Sequence, residues 1–159
     1  MTEIPPSLLL VEDNDDDAFL TMRAISAGGI THQVHRCKDG QAVIDYLESL
    51  VPQLQTSRPP ALPLLVLLDL KMPRLSGLEV LAWIRKHPIF RTLVVLALTS
   101  SNEPKDVAKA YQLNINAYLV KPSALKEMVD LAATIRSFWL EQKHFIPPIP
   151  ELPATPDRS

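Results

Sequence analysis

The 159-residue chain carries a formal charge of −2, with 47% hydrophobic and 21% charged residues, a balance that suits one globular domain with its own core and no room for a second. A pI close to 6.1 gives no basic footprint for nucleic acid, and the lack of a basic leader or a long uncharged apolar run predicts a cytoplasmic protein with no membrane segment. Cys37 is the single cysteine, which excludes an internal disulfide and a cysteine metal cluster.

Short apolar runs alternate with longer amphipathic stretches. Leu8 to Val11 predicts a first strand, followed by a helix from about Asp16 to Ala27, with Asp15, Asp16 and Asp17 capping its start and complementing its dipole. Gln33 to Cys37 and Gly40 to Leu50 form the next strand and helix. Val51 to Pro63, rich in Pro and Gln, reads as an irregular connection. Leu64 to Leu68, Gly77 to Lys86, Leu93 to Leu98, Pro104 to Gln112 and Ala117 to Val120 continue the alternation, and a last helix runs from about Ser123 to Gln142. The order is (βα)₅, which predicts a doubly wound parallel sheet with flavodoxin-like strand order 2-1-3-4-5. Residues 1–6 are then an N-terminal tail, 7–142 the domain and 143–159 a Pro-rich C-terminal tail.

Four of the five strands run into a reactive side chain: Glu12 and Asp13, Asp69, Thr99, and Lys121. In an open parallel sheet all carboxyl ends lie on one edge, and ligands bind where strand order reverses, here between the first and third strands. Glu12, Asp13 and Asp69 are therefore expected to meet. Two carboxylates ~4 Å apart repel by about 4 kcal/mol at an effective dielectric of ~20, so a divalent cation resolves the conflict. Mg²⁺ suits such an oxygen site and keeps positions free for phosphate oxygens. Asp69, central among these ends, is placed as a carboxylate nucleophile able to form an aspartyl phosphate. Lys121 can neutralise one phosphoryl oxygen and Thr99 can donate to another. His32, His35, His87 and His144 show no metal-ligand spacing.

The motifs Leu10-Val11-Glu12-Asp13-Asn14, Leu68-Asp69-Leu70-Lys71-Met72-Pro73 with Gly77, Ala97-Leu98-Thr99-Ser100 and Tyr118-Leu119-Val120-Lys121-Pro122 resemble the receiver domains of two-component response regulators, CheY-like, over roughly Ser7 to Leu140. The resemblance implies that Asp69 accepts a phosphoryl group from a sensor histidine kinase. It implies Mg²⁺ held by Asp13, Asp69 and the backbone carbonyl of Lys71, with Glu12 acting through a bound water. Thr99 and Tyr118 would be the switch pair, and Lys71 and Ser101 occupy positions that govern access of the hydrolytic water. The Lys121–Pro122 bond is commonly cis in similar domains. The long segment before the third strand and Phe138-Trp139-Leu140 look like the small stand-alone regulators paired with phytochrome-type kinases, whose output runs through protein contacts to a downstream target.

A phosphatase of the haloacid-dehalogenase type also uses a strand-end Asp, but it is similar to a pattern with a general acid two residues later, where Lys71 stands. A degenerate receiver would lack an acid, the Thr or the Lys, and none is missing. A fused DNA-binding half would need more than the Pro-rich residues after the last helix.

Along the last helix, Leu125, Met128, Val129, Ala132, Ile135 and Trp139 follow i, i+3, i+4 spacing and are expected to cover the sheet. Leu131 and Phe138 lie about 100° round from that stripe and widen it beyond what one sheet face needs. With Trp139, and with Phe145 and Ile146 in the tail, they form a candidate homodimer surface.

Overall fold

The computed structural model describes residues 6–141. The strands β1 (Leu8–Val11), β2 (Val34–Cys37), β3 (Leu65–Leu68), β4 (Val95–Thr99) and β5 (Ala117–Val120) alternate with the helices α1 (Asp15–Ala27), α2 (Gly40–Leu50), α3 (Gly77–Lys86), α4 (Pro104–Gln112) and α5 (Leu125–Ile135). All strand pairs are parallel and the sheet order is β2-β1-β3-β4-β5, as the βα alternation predicts. The irregular connection before β3 contains only a short 3₁₀ turn, Pro52–Gln55.

Side-chain alternation along each strand divides the core into two layers. Leu9, Val11, Val66, Leu68, Val95 and Ala97 pack with α2 and α3 through Val43, Leu47, Leu81 and Ile84. Leu8, Leu10, Leu65, Leu67, Leu96 and Leu98 face α1 and α5 through Ala18, Ile25, Ala132 and Ile135. Burying each of the large side chains contributes about 1.5–3 kcal/mol, so both faces of the three central strands stabilise the sheet. Cys37 lies in the first layer, where burial and then the nearby Asp39 carboxylate push its thiol up to about 11.

Local signals set most helix starts. The Asn14 side chain accepts the Asp17 N–H at 2.9 Å, and Asp39 accepts the Ala42 N–H at 2.7 Å. Ser76 and Glu79 form a reciprocal capping box at α3, and Pro104 opens α4 where no intrahelical donor is needed.

The last helix departs from the expected Ser123–Gln142 span. It begins at Leu125, ends at Ile135 and widens into a π-helical turn, Arg136–Glu141. Met128, Ala132 and Ile135 are buried as the stripe requires, but Leu125 is 40% exposed. It stands at the helix's open end, lining a cleft with Lys121 and Pro122 instead of covering the sheet. Trp139 and Leu131 are half-buried against the second layer, whereas Phe138 is 50% exposed. Each residue in a π turn advances less than 100°, and this re-aims the Phe138-Trp139 pair relative to a continued α-helix. Phe145 and Ile146 lie outside the described residues.

Candidate functional site

Strand register brings the chemistry together. Val11 pairs with Leu68, Leu68 with Ala97, and Thr99 with Val120, so the residues at or just past the strand ends share one edge. Backbone bonds extend the ladder past the strands: the Glu12 N–H donates to the Cys37 carbonyl at 3.1 Å, Asp69 N–H to Val11 at 3.0 Å and Lys121 N–H to Thr99 at 2.8 Å. Carboxylate oxygens of Glu12, Asp13 and Asp69 lie within 4.8 Å of one another. Glu12 and Asp69 are buried, at 2% and 6% exposure.

The Lys121 ammonium sits among these acids. It donates to Glu12 Oε2 and lies 3.4 Å from both Asp69 Oδ2 and Asp17 Oδ2. Burial by itself would lower the Lys121 pKa, but the Glu12 hydrogen bond and the charges of Asp69, Glu12 and Asp17 outweigh it and raise the value. Glu12 is raised by burial, and by the Asp69 charge, against the opposing pull of Lys121. One ammonium thus offsets part, not all, of the acidic charge.

Several residues hold this cluster in place. The Asp69 carboxylate accepts the Lys71 N–H through Oδ1 at 3.1 Å, and Glu12 Oε1 accepts the Asn14 N–H at 3.1 Å. The Arg36 guanidinium donates to the Glu12 carbonyl from Nε and Nη2 and pairs with Asp15 at 2.7 Å. Asp15 and Asp17 therefore do more than start α1: one is tied to β2 and the other reaches Lys121. Sequence reading missed Arg36, because nothing local marks a mid-strand arginine as the support of a neighbouring strand end.

On the β4 side Thr99 is fully buried, and its Oγ1 accepts the Ser101 N–H at 3.4 Å. Tyr118 is half-buried against the first core layer, and its hydroxyl donates to the Ser101 carbonyl at 2.7 Å. Burial raises its pKa, with the Ser101 side chain opposing. The Lys71 ammonium pairs with Asp106 at 2.9 Å. The Lys121–Pro122 bond is trans, since no peptide among the described residues is cis; this corrects the cis expectation, and trans is the isomer an X–Pro bond favours by ~0.5–1 kcal/mol without a turn that selects the other.

The donor set fits a divalent metal. Glu12, Asp13 and Asp69 are hard oxygen donors in the number and spacing that Mg²⁺ or Mn²⁺ accepts, and the residual acidic charge around Lys121 gives the cation a favourable field. This is the one group of three or more potential ligands among the described residues; the described histidines form none. No described helix is long and apolar enough to cross a membrane.

The response regulator receiver domain model matches residues 8–133. The chain belongs to that family of phosphoryl-signalling domains. It is 37% identical over 138 residues to the probable methanogenesis regulatory protein FilR2 of Methanothrix harundinacea, covering 87% of this chain and 86% of the relative. It is 36% identical over 137 residues to the response regulator Rcp1 of Synechocystis, covering 86% and 90%. The Mn²⁺-bound form of Rcp1 superposes with a TM-score of 0.74, at 34% identity over 91% of this chain and all (100%) of that one. The phosphorylated cyanobacterial phytochrome response regulator RcpA gives 0.74 at 30% identity, covering 86% and 95%.

Proposed function

We propose that the protein is a response regulator receiver that takes a phosphoryl group from a histidine kinase onto Asp69 and signals through phosphorylation-dependent protein contacts. The observation that carries this reading is the placement of the Asp69 carboxylate at the end of β3, beside Glu12 and Asp13 and 3.4 Å from the Lys121 ammonium. Asp69 attacks the phosphorus of the donor phosphohistidine; the new P–O bond forms as the P–N bond breaks, and the imidazole nitrogen leaves with the electron pair and takes up a proton. Lys121 holds charge developing on one phosphoryl oxygen, and the Thr99 hydroxyl donates to another. A Mg²⁺ held by Asp13, Asp69 and the Lys71 carbonyl, with Glu12 acting through water, would neutralise the phosphoryl oxygens. In the same site water attacks phosphorus and returns the Asp69 carboxylate, so the domain catalyses only its own phosphorylation and dephosphorylation.

Thr99 and Tyr118 form the switch: both are tied to Ser101, so drawing Thr99 towards a phosphoryl group disturbs the Tyr118 anchor. Kinship with the phytochrome response regulator RcpA supports a phytochrome-type kinase as partner, and the exposed Phe138 beside Leu131 and Trp139 supports a homodimer through the α5 face. The test is incubation with a small phosphodonor and Mg²⁺. One acid-stable, base-labile phosphoryl group is expected, absent in Asp69→Asn and on chelation of the metal; labelling that survives either change overturns the reading. Phosphotransfer from a panel of histidine kinases identifies the partner, and phytochrome-type kinases are expected to be fastest. Light scattering over a concentration series tests the dimer: monomeric mass at tens of micromolar rejects it.

A further inference from the structure

Asp106 is the third residue of α4, a position where an acid usually faces solvent and the helix dipole. Here it is turned inward and only 8% exposed. Its Oδ2 takes two donors at once: the Lys71 ammonium at 2.9 Å and the Ser101 hydroxyl at 2.6 Å. Those hydrogen bonds, Ser101 first and then Lys71, hold the Asp106 pKa below the usual carboxylate range. Lys71 stands two residues past Asp69 and hydrogen-bonds the Asp69 carboxylate through its own N–H; Ser101 stands two past Thr99 and hydrogen-bonds the Thr99 hydroxyl through its own. One buried carboxylate thus joins the two segments that leave β3 and β4, across the rim of the Asp69 site.

We propose that Asp106 is a positioning residue that sets the lifetime of the phosphoryl group on Asp69. Bonded to Lys71 and Ser101, it keeps the Lys71 stem and the Thr99–Ser101 segment drawn together over the rim, which narrows the approach of water to phosphorus. Hydrolysis forms a P–O bond from that water and breaks the bond to the Asp69 oxygen, with the water proton passing to the released inorganic phosphate or to solvent. Without the tie the two segments move independently and water enters more often. The inference rests on Asp69 being the phosphoacceptor.

The experiment uses the full chain, labelled with a small phosphodonor and Mg²⁺, freed of donor and followed by intact mass for loss of the phosphoryl group. Asp106→Asn keeps an acceptor for Ser101 and removes the ion pair; Lys71→Met keeps the stem length and removes the charge. Each is expected to shorten the lifetime by about fivefold, and the double variant by no more than either alone, because both break the same tie. Ser101→Ala, which removes only the second donor, is expected to accelerate loss by a smaller factor. The rate at which Asp106→Asn takes up label is expected to stay within about twofold of wild type; a merely structural role would lower uptake together with thermal stability. An unchanged or longer lifetime in Asp106→Asn, or additive effects in the double variant, overturns the tie while leaving Asp69 as phosphoacceptor. A wild-type protein that takes no label overturns the phosphoacceptor reading and this inference together.

Discussion

Gly77 packs against the carbonyl of Asp69 so closely that a Cβ at position 77 would lie 2.2 Å from that oxygen and 2.6 Å from the Leu70 Cα. The glycine N–H also donates to the Leu70 carbonyl at 3.2 Å. The start of α3 is therefore seated directly on the Asp69–Leu70 backbone, and backbone cannot yield as a side chain can. Gly77→Ala is expected to cost about 2–3 kcal/mol, at the upper end of overpacking effects. Urea denaturation measures it, and phosphorylation of the variant should slow because the Asp69 loop is displaced.

Lys121 is the counter-charge of a buried acid. Replacing it by Met leaves Glu12 without that partner and is expected to cost about 3 kcal/mol at pH 7. The pH dependence has a definite sign. A carboxyl whose folded pKa is raised above its unfolded value holds more proton folded than unfolded, so stability falls as pH rises through that window. The Lys121→Met cost should therefore be smaller near pH 5 than at pH 7, and added Mg²⁺ should recover part of it. Denaturation midpoints across pH, with and without the metal, provide the check.

Thr99→Ala removes the hydroxyl and leaves Asp69, Asp13 and Lys121 intact. The variant is expected to accept phosphate within an order of magnitude of the wild-type rate yet lose most of the phosphorylation-dependent gain in partner binding or self-association, since the proposed hydrogen bond from Thr99 to the phosphoryl group is gone. Light scattering with and without the phosphodonor reads the self-association arm. A full response in the variant would reject the coupling.

His87 ends α3, and its Nδ1 accepts the Ile89 N–H at 3.1 Å, a bond that requires the neutral imidazole. Burial lowers its pKa, with Glu48 opposing weakly. A histidine whose folded pKa is depressed binds more proton unfolded than folded, so stability is lost as pH falls from about 6.5 towards the folded value. His87→Gln, which can still accept the bond, is expected to flatten this part of the pH profile between about pH 5 and 7. Urea midpoints of the two proteins at half-unit pH steps would show it.

Much of the architecture was legible because its signals are local. The apolar runs at Leu8–Val11 and Ala117–Val120, and the helices Gly40–Leu50, Gly77–Lys86 and Pro104–Gln112, match the structure to the residue, since Asp39, Ser76 and Pro104 are start signals read within one turn. The acidic cluster was legible for a different reason: parallel strands share a direction, so residues following Val11 and Leu68 must reach one edge together. What sequence left open depends on side-chain contacts between distant segments. Arg36 under Glu12, 24 positions away, and Asp17 beside Lys121, 104 positions away, follow from sheet register and helix rotation, which no local propensity encodes. The same holds for Leu125, expected on the sheet and found at the mouth of a cleft, and for the π turn at Arg136–Glu141. Composition and periodicity determined which elements form and which edge carries the chemistry. Only tertiary packing decided that Asp106 turns inward, because burying a helix-terminal carboxylate is costly unless a specific lysine and serine are there to satisfy it.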